Sequence, residues 1–388
     1  MSATTAARLG YLALYGAVGA SFPYFSVFYG SRGLGVETIG LLTSLAAVAG
    51  LVAAPLWGSA ADRFSGSRAL LPAAAIVAAL GASALAIVRE PLLVACAVAI
   101  MSLAFSGLGP TLDARALETV RHDQNRYGGL RAWGSASFIV VVWLTGAIIE
   151  RLGAVSMFGV YVAMLLAFAI AAVRLRGESS GIRLPRLAGI GLVLRHAVLG
   201  RFLVAILLVW CASMGINWYL SVHLLEIGAP GELVGASWAI GALVEIPIMA
   251  AFPWLASRVG TERLLIVGAG AFVLRALAIA VVTDPVLVAL TMILHGVGFG
   301  LMLVGGVTYV ARHAPPAAAA TAQGILSAVV FSLALIIGPG ACALVAGAWG
   351  PSAMFVTSAV VGSLAIGLLW FAVARPAAVR RTMAHGNS

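Results

Sequence analysis

The sequence predicts an all-α polytopic membrane protein of about twelve helices in two six-helix bundles, with both termini cytoplasmic. Three observations carry this. Of its 388 residues, 62% are hydrophobic and only 9% charged, against roughly 45–50% and 25% in an average soluble domain. Apolar stretches of roughly 20 residues, each long enough to cross a bilayer core, recur along the whole chain. The short alternating segments of a membrane barrel are missing. A mean hydropathy of +1.08 also excludes a disordered chain, which would be charged and poor in apolar residues.

The first span centres near Val18. Arg8 precedes it, as in a leader peptide, but the apolar run from Leu9 to Phe28 is too long and too aromatic for one. It reads as an uncleaved span. Five more centre near Ala49, Ala78, Ala99, Val141 and Val162. The longest polar stretch follows, from about Arg174 to Arg201. Beyond it, spans centre near Cys211, Leu243, Phe272, Gly298, Phe331 and Val361. The expected division is an N-terminal bundle over 1–174, a cytoplasmic central loop over 175–201, and a C-terminal bundle with a short cytoplasmic tail over 202–388. The other loops are too short to hold a soluble domain.

Arginine placement gives the orientation. All 23 basic residues are Arg, and net charge is +10. With the N-terminus inside, nineteen of the 23 fall on the inner side, and only Arg32, Arg89 and Arg151 fall outside. That is the positive-inside pattern. The basic balance is therefore a topology signal, and nucleic acid is not an expected partner. Without Lys there is no phosphate-binding loop of the G-x-x-x-x-G-K type and no lysine Schiff base. Cys96, Cys211 and Cys342 lie singly inside apolar runs and read as small core residues.

The halves also repeat. Asp62-Arg63 follows the second span and Ser257-Arg258 follows the eighth, 195 positions later. Two bundles related by an axis along the membrane normal are a common transporter plan. Between spans two and three lies Gly58-Ser-Ala-Ala-Asp62-Arg63-Phe-Ser-Gly66-Ser-Arg68. Gly58 admits close helix approach, Asp62 accepts hydrogen bonds at a neighbouring helix end, and Arg63 and Arg68 pair with acidic groups. The segment reads as a gating latch, or else as a solvated basic turn. It resembles the G-x-x-x-D-R-x-G-x-R signature of the major facilitator superfamily, with the second Gly displaced by one.

Ionisable residues within a span mark a pathway or relay by default. Glu245 lies in span eight, Arg275 in span nine and His295 in span ten. Counted from the outer boundary at ~1.5 Å per residue, they stand at roughly 16, 12 and 14 Å. An acid, a base and an imidazole thus share one level. The functional reading is proton coupling: Glu245 carries the proton, Arg275 biases its charge state, and His295 connects it to solute. The alternative is a structural Glu245–Arg275 ion pair with His295 satisfied in the core.

Aromatic and amide side chains add cavity candidates. Tyr15, Phe22, Phe138 and Asn217 lie deep enough to line a solute path, whereas Phe28, Tyr29 and Trp218 are placed for a boundary belt. Gly296, Gly298 and Gly300 fall inside an apolar span, so helix packing is preferred to a dinucleotide loop. His223 and Glu226 alone are weak metal ligands. No metal or cofactor is expected, and no Ser/His/Asp constellation points to an enzyme.

Glu-x-Pro at 245–247, Arg275 and Leu294-His-Gly-x-x-Phe-Gly300 resemble the phenylpropionate-permease branch of the superfamily, which is related to the lactose-permease type of sugar–proton symporter. Tyr127-Gly128, Leu130-Arg131-Ala-Trp133-Gly134-Ser135, Phe22-Pro23 and Pro55-x-Trp57-Gly58 resemble the same branch. The resemblance implies a coupling cluster of Glu245, Arg275 and His295, and a solute-binding pair of Asp113 and Arg131. It departs at Gly298, where the symporters carry a second proton-bearing glutamate. By depth alone, Asp113 and Arg131 also fit a surface pair at an inner gate.

The expected function is proton-coupled import of a small organic solute by alternating access, in a bacterial inner membrane and as a monomer. An aromatic carboxylate such as a phenylpropionate-like acid is the first substrate expectation, and a sugar or nucleoside the second. Proton antiport of drugs is the alternative, but span five, from about Ala132 to Ile149, lacks the Pro of the antiporter motif. A non-transporting sensor would need an output domain.

Overall fold

A computed structural model of the chain describes residues 2–63, 67–120, 124–175, 187–315 and 318–385. Among the described residues, twelve helices are long and apolar enough to cross a membrane: Ala3–Ser31, Val36–Ala53, Leu70–Ile87, Pro91–Thr119, Tyr127–Leu152, Ala154–Ala172, Ala197–Glu226, Gly231–Val259, Thr261–Val281, Pro285–His313, Thr321–Trp349 and Pro351–Val373. They are spans one to twelve below. All twelve expected centres fall inside them.

Four of these spans are interrupted. Span one divides into Ala3–Ser21 and Phe25–Ser31 around Pro23, whose ring cannot continue a helix ladder. Span four divides into Pro91–Ser106 and Leu108–Thr119 at Gly107. A Cβ at Gly107 would fall inside the indole of Trp57, which itself donates to the Leu103 carbonyl at 2.8 Å. Span ten restarts after Thr291, whose hydroxyl donates to Val288 O at 2.6 Å. Span eleven carries a five-residue π segment, Val329–Leu333. Asp284 caps span ten by accepting from the N–H groups of Val286 and Leu287, both at 2.9 Å.

Contacts divide the chain into two units. One comprises Met1–Leu184 with Leu220–Ala242, and the other Pro185–Tyr219 with Leu243–Ser388. In the first unit, span one packs against spans five and six, and span three against spans four and six. Backbones meet closely where Gly231 and Gly235 face span five. A Cβ at Gly235 would lie 2.7 Å from Val142 O, and one at Gly231 would lie 2.6 Å from Gly146 O. Glu150 accepts from the Gly231 N–H at the start of span eight, as a carboxylate should at a helix N-terminus. In the second unit, span nine packs against spans ten and twelve, around a core that includes Trp210, Phe272, Met302, Tyr309 and Leu369.

Large apolar side chains on the outside, such as Leu80, Ile170, Val281 and Leu344, form the lipid-facing surface expected of spans. Two expectations fail. Phe28, Tyr29 and Trp218 are buried rather than belt residues. Phe28 packs edge-on to Phe158 at 4.7 Å, because span one is the central helix of its unit and has little lipid-facing surface. Cys96 is exposed rather than core, on the outer face of span four, while Cys211 and Cys342 are buried.

Candidate functional site

Among the described residues, each unit holds a polar cluster. In the second unit it draws on spans seven to ten. Arg275 is only 1% exposed. Its Nη1 donates to Asn217 Oδ1 at 2.7 Å, and its Nη2 to Met292 Sδ at 3.3 Å. Its Nε–H has no hydrogen-bond partner among the described residues. His295 Nε2 lies 3.7 Å from Glu245 Oε1, with the carboxylate side chain 24% exposed. Glu245 and Arg275, an ion pair only in the alternative reading, are therefore held by different neighbours. Asn217, a separate cavity candidate, joins the cluster as the guanidinium's acceptor.

Aromatic rings wall this cluster. Phe272 stacks on His295 at 5.8 Å and Phe299 tilts against it at 5.6 Å. Trp210 touches both phenyl rings. The rings also explain Gly298, the departure from the symporter pattern. A Cβ there would lie 2.6 Å from the Phe272 ring. The place of a second carboxylate is filled by an aromatic side chain.

In the first unit, Asp113 sits on the second segment of the broken span four, Leu108–Thr119, and Arg131 near the start of span five. Arg131 Nη1 and Asp113 Oδ1 are 3.5 Å apart, and the side chains are 45% and 37% exposed. Two tyrosines of span one brace the pair. Tyr11 Oη donates to Asp113 Oδ1 at 2.6 Å. Tyr15 Oη accepts from Arg131 Nη1 at 2.5 Å, and the guanidinium lies 5.1 Å from its ring centre. Gly134 makes room for this ring, since a Cβ there would lie 2.8 Å from Tyr15 Cδ2. Arrangement and exposure suit a polar solute: an acceptor and a donor side by side.

The other expected residues scatter. Phe22 packs edge-on to Trp238 at 5.6 Å, away from the pair. Phe138 is half-buried two turns beyond Arg131. Gly58, Asp62 and Arg63 lie at the end of the Val36–Arg63 helix, and their side chains fall outside the described residues. Arg68 is exposed.

Sequence reasoning missed two residues. Tyr11 was legible only as one aromatic among several, although its i,i+4 spacing from Tyr15 places both on one helix face. Arg115 is one of the nineteen arginines of the inner-side count, yet it is 3% exposed and donates to Leu175 O at 2.9 Å and Ser67 O at 3.2 Å. It ties span four to the end of span six and to the loop after span two.

Comparison with known proteins gives a consistent picture. The family model described as the MFS_1 like family matches residues 5–370. The chain is 31% identical to the maltose permease of Geobacillus stearothermophilus over 353 residues, covering 87% of this chain and 86% of that one. It is 29% identical to a probable 3-phenylpropionic acid transporter of Escherichia coli K12 over 321 residues, covering 79% and 81%. Among solved structures, the nucleoside transporter NupG superposes with a TM-score of 0.84 at 16% identity, covering 96% of this chain and 99% of that one. At that identity the likeness is one of fold.

Proposed function

Because the chain belongs to the MFS_1 like family of major facilitator transporters, and is thus an integral protein of the bacterial plasma membrane that carries small solutes, we propose that it imports a neutral hydroxylated solute of the sugar class together with a proton, by alternating access. The observation that carries this reading is the braced, accessible Asp113–Arg131 pair. A hydroxyl group can donate to the carboxylate and accept from the guanidinium at once. A solute carboxylate would instead compete with Asp113 for Arg131. The maltose permease relative agrees with a sugar-class solute.

Coupling belongs to the second cluster. Glu245 is the proton carrier, because its carboxyl stands against His295 in a mostly buried, aromatic-walled place where the charged form is costly. Arg275 and Asn217 lie beyond it as the fixed polar partners. With Gly298 in place of a second carboxylate, this cluster offers one carboxyl proton site.

The aromatic acid remains a second reading, on one specific observation. The Nε–H of Arg275, unpartnered among the described residues, is a buried cationic donor in the cluster whose His295 packs against Phe272 and Phe299, and such a place suits a ring-bearing carboxylate. The phenylpropionic acid transporter relative favours it too.

One experiment separates these readings. Purified protein in liposomes is given single sugars, nucleosides or aromatic acids down their gradients, while external pH is followed in weak buffer. Alkalinisation with a sugar supports the proposal. Alkalinisation with an aromatic acid alone, beyond protein-free liposomes, supports the second reading. Uptake of labelled solute with no pH change overturns proton coupling. Within the coupled system, Glu245→Gln abolishes uphill uptake and spares solute exchange; full concentrative uptake by this variant removes Glu245 from the carrier role.

A further inference from the structure

The Asp113 carboxylate is held in an unusual way for a group that is more than a third exposed. Its Oδ1 accepts from the Tyr11 hydroxyl at 2.6 Å and is ion-paired with the Arg131 guanidinium 3.5 Å away. Tyr11 itself is fully buried, so its hydroxyl cannot turn to solvent. At 2.6 Å its bond to the ionised carboxylate is a short, charge-assisted one. Tyr127 shares side-chain hydrogen bonds with both Tyr11 and Asp113, so the three groups form one network. The short helix that carries Asp113 is fixed at two further points: by Arg115, bound to the carbonyls of Leu175 and Ser67, and by Trp57, whose ring lies over Gly107.

We infer that Tyr11 is a positioning residue of the solute site: it fixes the Asp113 carboxylate beside Arg131, so that solute meets a pre-set acceptor. The inference rests on the reading that Asp113 and Arg131 bind solute. It gives the two tyrosines of span one matched tasks, since Tyr15 holds the guanidinium as Tyr11 holds the carboxylate. A pre-organised pair saves solute the cost of ordering it, so the loss of Tyr11 should fall on affinity and not on turnover.

The test is a double-mutant cycle on the reconstituted full chain, with labelled solutes of the pH panel, maltose first. Tyr11→Phe keeps the ring and its packing and deletes only the hydroxyl. Removal of a hydrogen bond to a charged group lowers affinity by about tenfold. The expected result is a KM about tenfold higher for Tyr11→Phe, with Vmax and the proton-to-solute ratio within about twofold of the parent, a tolerance set by ordinary site independence. In an Asp113→Asn background, Tyr11→Phe should add little, because its partner is already changed. Thermal unfolding in detergent shows that each variant is folded.

An unchanged KM in Tyr11→Phe, with a raised KM in Asp113→Asn, overturns the positioning role and leaves the solute site standing. So do effects of the two substitutions that simply multiply. A wild-type KM in Asp113→Asn removes the solute site itself, and the inference falls with it.

Discussion

Single residues set the chemistry of both clusters, and Gly298 shows how. The position one turn after His295 is closed to any side chain by the Phe272 ring, 2.6 Å from where a Cβ would stand. Gly298→Glu should therefore fail for steric reasons. Forcing a side chain into a filled core costs about 1–3 kcal/mol, so the variant should melt earlier in detergent and lose uptake. Gly298→Glu combined with Phe272→Ala opens the space and should recover much of the melting temperature; no recovery would show that the obstacle is not the ring. At this scale the sequence was informative where a residue was out of place for its surroundings. Glu245, Arg275 and His295 stood out because ionisable groups in apolar runs are expensive. Their partners did not. That Arg275 binds Asn217, 58 positions away, and that Glu245 meets His295, depend on the rotation of four helices about their axes. Periodicity in a helix that is apolar all round does not define that rotation.

The spans themselves were legible from apolar length, and their repeat is visible in the turns. Gly33 and Gly228, each ending the first span of its half, both have positive φ, at 77° and 89°. They are 195 positions apart, as are Asp62-Arg63 and Ser257-Arg258. Gly153 and Gly350, which follow spans five and eleven, are a second positive-φ pair, at 81° and 87°, spaced 197 positions apart. The breaks within spans were harder to read. Pro23 announces one, but the break at Gly107 needs the Trp57 ring, which arrives from another helix. This break matters because the segment beyond it carries both Asp113 and Arg115. Gly107→Ala should displace the indole from its bond to Leu103 O, lower thermal stability and weaken solute affinity. In a Trp57→Ala background the same substitution should be nearly neutral. Trp57 and Gly107 are in direct contact, so a coupling of about 0.5–3 kcal/mol is expected between them, and additive effects in melting would show that they do not act together.

At the scale of the whole molecule, the distribution of arginine makes the strongest statement. Nineteen of 23 Arg lie on the loops and span ends of one side if alternate hairpins are taken together. Such a bias fixes orientation during insertion, and acidic residues contribute little to it. On this pattern the N-terminus and the Gly58–Arg68 segment are expected on the cytoplasmic side. The proposed direction of transport depends on this orientation, because import needs the proton to enter from the side opposite the basic loops. Two exposed serines give a clean test. Ser257 ends span eight on the expected inner side, and Ser352 opens span twelve on the expected outer side. In a chain with Cys96, Cys211 and Cys342 replaced by Ala, Ser352→Cys should react with a membrane-impermeant maleimide in intact cells. Ser257→Cys should react only after the membrane is opened. The reverse pattern would place the basic loops outside, against the sense of nineteen of the 23 arginines. The coupling reaction at Glu245 would then have to be read as proton-driven export.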